Sequence, residues 1–504
     1  MQDEIPPVNQ IRSSAMRPIF EPGKRYWLAV IILASIVTWG IVAWLVQVHR
    51  GLGSAGYNNH AFWAIYIADV VTFIGVSYGG AVVSAILRLT GATWRAPLTR
   101  IAEATAVVTV IIGALFILPH LGRPERILEL IYRPNLSSPI FWDFVAVSTY
   151  AFASIVFFYL PMIPDLSIGR RYLENHGRGR LETVYRKLSW NWQGNSQQRR
   201  ILNGSIGLIA IMIIPIAVSV HSVLSWAFSL TSRPWWHESI WAPYFVVAAL
   251  YSGIALVILI VALFRKIYNL ESFIVERHFI RLGYIMVPFG AAYLYLTVAD
   301  FLPGSYVGED GVASVFSAVL VGRYALWFWI FVVAGCILPT LIMALKPTRR
   351  IGTIIFGAAL VDGSLWLKRM VMVVGPANYG RVSGTFGSYH FTWISVSVTL
   401  AGIAAIPLLL LLVFRVVPIL SINEMEEIQF ENNKTQLHTS NNGPLPAYLH
   451  DINRSLKEDL DDTRVPEPVL GNTNFVKSTN KKAYKKSLTR DRSLLKHQIQ
   501  VEEI

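Results

Sequence analysis

The feature that most limits what this chain can fold into is the recurrence of long apolar runs joined by short charged connections. A helix needs about 20 mostly apolar residues to cross the hydrocarbon of a bilayer, and roughly ten runs reach that length. They lie near 26–48, 62–88, 103–119, 139–163, 203–231, 240–264, 279–302, 322–345, 352–374 and 391–415. No run alternates polar and apolar residues with period two, which argues against a barrel. With 54% hydrophobic and 15% charged residues, the chain carries more apolar surface than a soluble core of its length can hide. The expected fold class is an all-α integral membrane protein.

The formal charge of +13 reads as a topology signal and not as a nucleic-acid footprint, because the positive residues sit in alternate connections. Arg12, Arg17, Lys24 and Arg25 precede the first run. Further groups are Arg88, Arg95 and Arg100, the Arg-rich stretch 164–202 with Arg178 among its residues, Arg265 to Arg281, and Lys346 to Arg350. Cytoplasmic loops collect Lys and Arg. Ten spans then put both termini in the cytoplasm, and the connections holding His120, Arg233 to Ser239, Glu309/Asp310 and Ala377 to Tyr389 outside. The expected division is a cytoplasmic segment 1–25 without a visible secretory signal, a transmembrane domain 26–420, and a polar cytoplasmic tail 421–504 expected to be largely disordered. The 164–202 loop is expected to lie on the membrane surface against anionic lipid or a partner.

Within this frame the connection after the third run holds the most ionisable chemistry. It reads FILPHLGRPER, Phe116 to Arg126, and the fourth run opens SSPIFWDF, Ser137 to Phe144. At about 1.5 Å of rise per helical residue, His120 falls at the outer interface, Asp143 roughly 6 Å in, Asp69 roughly 10 Å and His221 roughly 15 Å. Ionisable groups at such depth face a bundle interior or a polar cavity. A neutral imidazole beside a carboxylate suits a quinol, whose two hydroxyls must each give up a proton as electrons leave. The competing reading pairs Asp143 with Arg123 or Arg126 and gives His120 a loop carbonyl. His120 with His221 as a haem clamp is a further alternative. The second half carries Glu276, Asp300, Asp362, Lys368, Arg369 and His390. These residues, with Glu103 at the inner end of the third run, read either as a proton path or as packing pairs such as Asp300 with Arg369. Trp142, Trp226, Trp235, Trp236, Trp241 and His237 read mainly as an interfacial belt. The glycines of Ile74 to Leu89 read as a close-packing face around Tyr78. The single cysteine, Cys336, leaves this chain without an internal disulfide, a CxxCH haem attachment or a cysteine-held iron–sulfur cluster.

Several stretches together resemble the NrfD, or polysulfide-reductase membrane-subunit, family, and more narrowly the ActC type of membrane subunit of bacterial alternative complex III. They are IGVSYGGAVVSAILRLTGATWRAPLTRIAEA, LFILPHLGRPER, IFWDF, AVSVHSVLSWAF, PWWHESIWAPYFVVAALYSGIALV and RVVPILSINEMEEI. The resemblance covers most of residues 26–428. It implies two four-helix bundles, about 62–231 and 240–374, flanked by the first and last helices. It also implies a quinol site near the outer face, with His120, Asp143 and His221 on the family's polar positions; menaquinol or ubiquinol is the expected substrate, His120 and Asp143 the expected reacting groups, and Asp69, Arg123 and Tyr78 further expected site residues. Asp300, Asp362 and Arg369 fall near the positions it implies for proton movement, and Glu103 and Lys368 are expected on the same path from the residue reading. The family usually carries a histidine where this chain has Tyr78. The implied partners are an outer iron–sulfur subunit, haem c subunits, a second NrfD-like membrane subunit and lipid, in a bacterial cytoplasmic membrane. A quinone-reducing subunit of a polysulfide-reductase-like enzyme and a proton-coupled solute transporter are the alternative functions.

Overall fold

Ten helices among the described residues are long and apolar enough to cross a membrane. In chain order they are Lys24–Arg50, Ile65–Leu89, Thr93–Leu121, Pro139–Tyr159, Ser196–Ser229, Trp241–Ile267, Glu276–Val307, Ala325–Ala344, Ile351–Asn378 and Trp393–Val413, called the first to tenth spans below. The structure, a computed structural model, describes residues 6–175, 179–309 and 311–439. The expected tail beyond 439, residues 1–5, Arg178 and Asp310 lie outside the described residues. The protein is an all-α, multi-pass integral membrane protein. Its only strands among the described residues are the short antiparallel pair Tyr379–Gly380 and Thr385–Phe386, with Tyr379 opposite Phe386.

The second span is the central element. Its most apolar window is 83% buried inside the protein, against 11% for the first span. It packs on the third, fifth, sixth, ninth and tenth spans. The second to fifth spans contact one another in a ring, as do the sixth to ninth, and the first and tenth lie side by side. Close approach of the second and sixth spans depends on two glycines: a Cβ on Gly253 would sit 2.8 Å from Gly79 Cα and 3.1 Å from the Val76 carbonyl oxygen. Without a hydrophobic drive between helices in lipid, such small-residue contacts are what let backbones pack.

Two spans depart from regular helix. The third breaks at Phe116, because Pro119 has no N–H for the turn before it, and resumes as Ile117–Leu121 before Gly122 turns the chain at φ +66°. The eighth widens into a π-helical stretch at Phe331–Ile337, just before Pro339. There the Gly335 carbonyl accepts a 3.0 Å hydrogen bond from the Tyr251 hydroxyl of the sixth span, so the irregular turn is tied to its neighbour.

At the Arg-rich end, charged residues enter the spans because partners meet them. The third span starts at Thr93 and not near 103, since Arg95 pairs with Glu424 at 2.8 Å and Arg100 with Asp165 at 2.5 Å. Glu424 also pairs with Arg88. Burial would raise the Glu424 carboxyl, but the Arg88, Arg95 and Arg100 guanidiniums override it and hold the group below its ordinary value. Burial pushes Asp165 up to about 6 against the pull of Arg100. The Asn423 N–H donates to Asp165 at 2.8 Å, and Arg12 of the helix Val8–Phe20 pairs with Glu426 at 2.7 Å. Residues 422–428 are thus fastened across this end. The 164–202 stretch, expected as a surface loop, contains the helices Met162–Asn175 and Gly179–Leu188. Leu166, Leu173 and Tyr185 on them are buried, and the Tyr185 hydroxyl donates to the Val416 carbonyl at 2.7 Å. Those apolar anchors were hidden in the sequence by the surrounding arginines.

Candidate functional site

The opposite end carries the His120 corner. The break at Phe116 and the turn at Gly122 place His120 on a short helix that ends the third span. Its ring lies 5.9 Å from that of Tyr57 and 6.4 Å from that of Trp63, both ahead of the second span. Gln47, buried in the first span, holds this turn: its Nε2 donates to the Pro119 carbonyl at 2.8 Å and its Oε1 accepts from the Tyr66 hydroxyl at 2.5 Å. Tyr66 stacks on Tyr57 at 5.7 Å. A lone glutamine in the first apolar run was the available signal for this support, and sequence reasoning passed over it.

Asp143 sits near the start of the fourth span. His120 Nδ1 and Asp143 Oδ1 are both buried with no hydrogen-bond partner. Buried polar atoms are normally satisfied, so each of these orphans is an opening for a ligand group. The competing pairing is not what the structure places here. Arg126 lies 4.0 Å from Glu129, and Arg123 is exposed on the connecting loop. Among the described residues no ion pair within 4.0 Å involves Asp143. No hydrogen bond joins Asp143 to His120 among them either, so the two groups are not a preformed pair.

Asp69 is committed elsewhere. Its Oδ1 accepts from Trp366 Nε1 at 2.8 Å and its Oδ2 from Thr399 Oγ1 at 2.5 Å, tying the second span to the ninth and tenth. Tyr78 and His221 form an interior pair. The Tyr78 hydroxyl donates to the Ala217 carbonyl and stands 2.8 Å from His221 Nδ1. The Tyr78 ring lies 5.5 Å from that of Tyr150, whose hydroxyl accepts from Ser77 at 3.0 Å.

In the second half the polar residues do not form one line. The Lys368 ammonium is fully buried among aromatic rings, 4.5 Å from Trp235 and 5.2 Å from Tyr244, without a hydrogen-bond partner. Asp300 lies within its electrostatic reach and accepts from Trp235 Nε1 at 2.8 Å. The suggested pairing of Asp300 with Arg369 is therefore replaced: Arg369 turns the other way and donates to Ser252 Oγ at 3.0 Å. Both Asp362 oxygens are buried without partners. Glu103 accepts from Ser84 at 3.0 Å and belongs to the Arg-rich end, 4.0 Å from Arg88. Glu276 begins the seventh span and His390 is exposed. The tryptophans divide. Trp142 and Trp226 are half exposed, as a belt requires, whereas Trp235, Trp236 and Trp241 are fully buried. Trp236 Nε1 donates to the Met372 carbonyl at 2.7 Å. Among the described residues no group of three or more His, Cys, Asp or Glu is arranged to hold a metal ion.

The family model described as "Polysulphide reductase, NrfD" matches residues 53–377, more than half of the chain. The chain is similar to a putative dimethyl sulfoxide reductase membrane subunit of Halobacterium salinarum, 27% identical over 81% of this chain and 95% of that protein. It is 25% identical to a selenate reductase subunit of Mesobacillus selenatarsenatis, over 82% of this chain and 97% of that protein. Similarity at 24% identity extends to the Hdr-like menaquinol oxidoreductase integral membrane subunit of Archaeoglobus fulgidus, over 64% of this chain and 72% of that protein.

Proposed function

Because the chain belongs to the polysulphide reductase, NrfD, family, we propose that it is the membrane subunit through which a reductase-type complex exchanges electrons and protons with the quinone pool. Two of the similar proteins are named as reductase subunits and one as a menaquinol oxidoreductase subunit. Those names favour a reductase complex over alternative complex III, the narrower likeness in the sequence. Association with a redox partner subunit follows from the family. The proposal makes that partner an iron–sulfur subunit over the His120 end. Haem c subunits and a second NrfD-like subunit belong to the alternative-complex-III version. The second to fifth and sixth to ninth spans act as two four-helix bundles in a bacterial cytoplasmic membrane. The segment 1–25 and the tail 421–504 are on the cytoplasmic side.

The observation that carries the reading is that two buried atoms on adjacent spans have no hydrogen-bond partner: His120 Nδ1, whose ring lies beside those of Tyr57 and Trp63, and Asp143 Oδ1, near the start of the fourth span. A quinol head group placed between them donates one hydroxyl to each. As two electrons pass to the partner's cluster, the two protons leave through the imidazole and the carboxylate, and the quinone remains; run in reverse, the same groups return protons to a quinone. Arg123, exposed on the connecting loop, is assigned to the same site, Tyr78 and His221 carry hydrogen bonding inward, and Asp69 fixes the second span against the ninth and tenth. Glu103, Asp300, Asp362, Lys368 and Arg369 serve proton movement through the interior. A positioned acid or base contributes about 10²–10⁴-fold to such a step. His120→Ala and Asp143→Asn should therefore each lower quinol-linked electron transfer by about that factor while the complex still assembles. Unchanged turnover in both assembled variants refutes the site.

A further inference from the structure

One turn from the Gly79 and Gly253 contact, a small cavity opens between the two sets of spans. It is bordered by Val71, His221, Tyr244, Phe245, Arg369 and Met372, and has room for about one water molecule, far too little for a quinone ring. Two polar atoms at its edge, His221 Nε2 and Arg369 Nη1, are buried with no partner. A Cβ on Gly75 would lie 2.9 Å from Arg369 Nη2 and 3.3 Å from His221 Nε2, so the absence of a side chain there leaves open a space that both groups border.

Arg369 Nη1 can only donate. His221 Nε2 carries either the lone pair or the proton, according to the tautomer that its 2.8 Å contact with the Tyr78 hydroxyl selects. A water molecule accepts from the guanidinium and either donates to the imidazole or accepts from it, so it satisfies both atoms in either tautomer, and the space holds about one.

We propose that one water molecule is bound in this cavity, accepting from Arg369 Nη1 and hydrogen-bonded to His221 Nε2. It completes a hydrogen-bonded chain from Tyr78 and His221 in the second and fifth spans to Arg369 and Ser252 in the ninth and sixth. The site itself follows from the cavity and its donors. Its use as a crossing point for protons between the bundles rests on the quinol reading above.

The test is a high-resolution density map of the intact membrane complex at neutral pH, for the natural chain and for Gly75→Ala. The expected result is one water peak within about 3 Å of both nitrogens, lost in Gly75→Ala. An empty cavity, a direct contact between Arg369 and His221, halide density, or a peak unchanged in Gly75→Ala overturns the proposal. If Gly75→Ala fails to assemble, the map of the natural chain decides alone. Absence of quinol-linked electron transfer in the natural complex would remove the quinol reading and leave the water site standing.

Discussion

Replacing Lys368 by methionine tests whether the second half is held by a charge pair or by packing alone. Five rings surround the Lys368 ammonium: Trp235 at 4.5 Å, Tyr244 at 5.2 Å, Phe301 at 5.7 Å, Phe331 at 5.9 Å and Phe328 at 6.0 Å. A desolvated cation over an aromatic face gains about 2 kcal/mol. The carboxylate within its electrostatic reach is Asp300, whose Oδ1 has no hydrogen-bond partner; among the described residues no ion pair within 4.0 Å joins the two. Methionine matches the lysine stem in length and suits an aromatic surround, so little packing is lost, but Asp300 is left as an isolated buried carboxylate. Removing one member of a buried pair costs about 3–5 kcal/mol, whereas replacing both by neutral groups is often neutral or stabilising. Asp300→Asn keeps an oxygen acceptor for Trp235 Nε1. The expectation is therefore that Lys368→Met and Asp300→Asn each cost about 3–5 kcal/mol, and that the double variant costs less than either. Reversible unfolding of the purified protein in detergent, read as a double-mutant cycle, measures this. Additive losses, with coupling below about 0.5 kcal/mol, would refute the pairing.

Two further expectations concern how the fold is fastened. Gly253→Ala pushes a methyl group against Gly79 Cα and the Val76 carbonyl and should cost about 1–3 kcal/mol by overpacking. Gly207→Ala, where a Cβ would meet nothing within 4 Å, should be harmless; equal melting of the two variants would sink the close-packing argument. Glu424 is held below its ordinary carboxyl value by Arg88, Arg95 and Arg100. Its stabilisation is therefore present above the unfolded carboxyl range and lost as pH falls through the depressed value. Hydrogen exchange at 422–428 should stay slow at neutral pH and rise only in acid. Glu424→Gln should raise it about tenfold already at neutral pH, the equivalent of ~1.4 kcal/mol; exchange unaffected by the substitution contradicts the dock.

The ten spans were legible because length and apolarity alone decide whether a helix can cross a bilayer, and the structure has ten such helices among the described residues. Partners were not legible. The third span begins ten residues before its apolar run because Arg95 and Arg100 meet Glu424 and Asp165, carboxylates far away in the chain. Trp235 and Trp241 look interfacial by composition, yet both are buried: the Trp235 N–H donates to Asp300 and the Trp241 ring stacks on Phe245. The same holds for adjacent residues: Lys368 and Arg369 are neighbours in sequence, yet Lys368 lies within electrostatic reach of Asp300 while Arg369 donates to Ser252, so the Asp300–Arg369 pairing offered as one alternative is not formed. At the His120 corner the ionisable residues were visible by their depth. The supports Gln47, Tyr57 and Tyr66 were passed over: a lone glutamine in the first apolar run marks a buried polar contact, but which residues it meets is known only once the fold brings Pro119 and Tyr66 to it.

Whether one bound molecule bridges His120 and Asp143 decides the quinol reading. The most direct measurement is a map of the intact complex with a bound quinone analogue. The expected result has the analogue's ring oxygens within about 3 Å of His120 Nδ1 and of an Asp143 carboxylate oxygen, with the ring beside Tyr57 and Trp63. An analogue bound elsewhere, with that corner filled by the protein's own side chains, would contradict it.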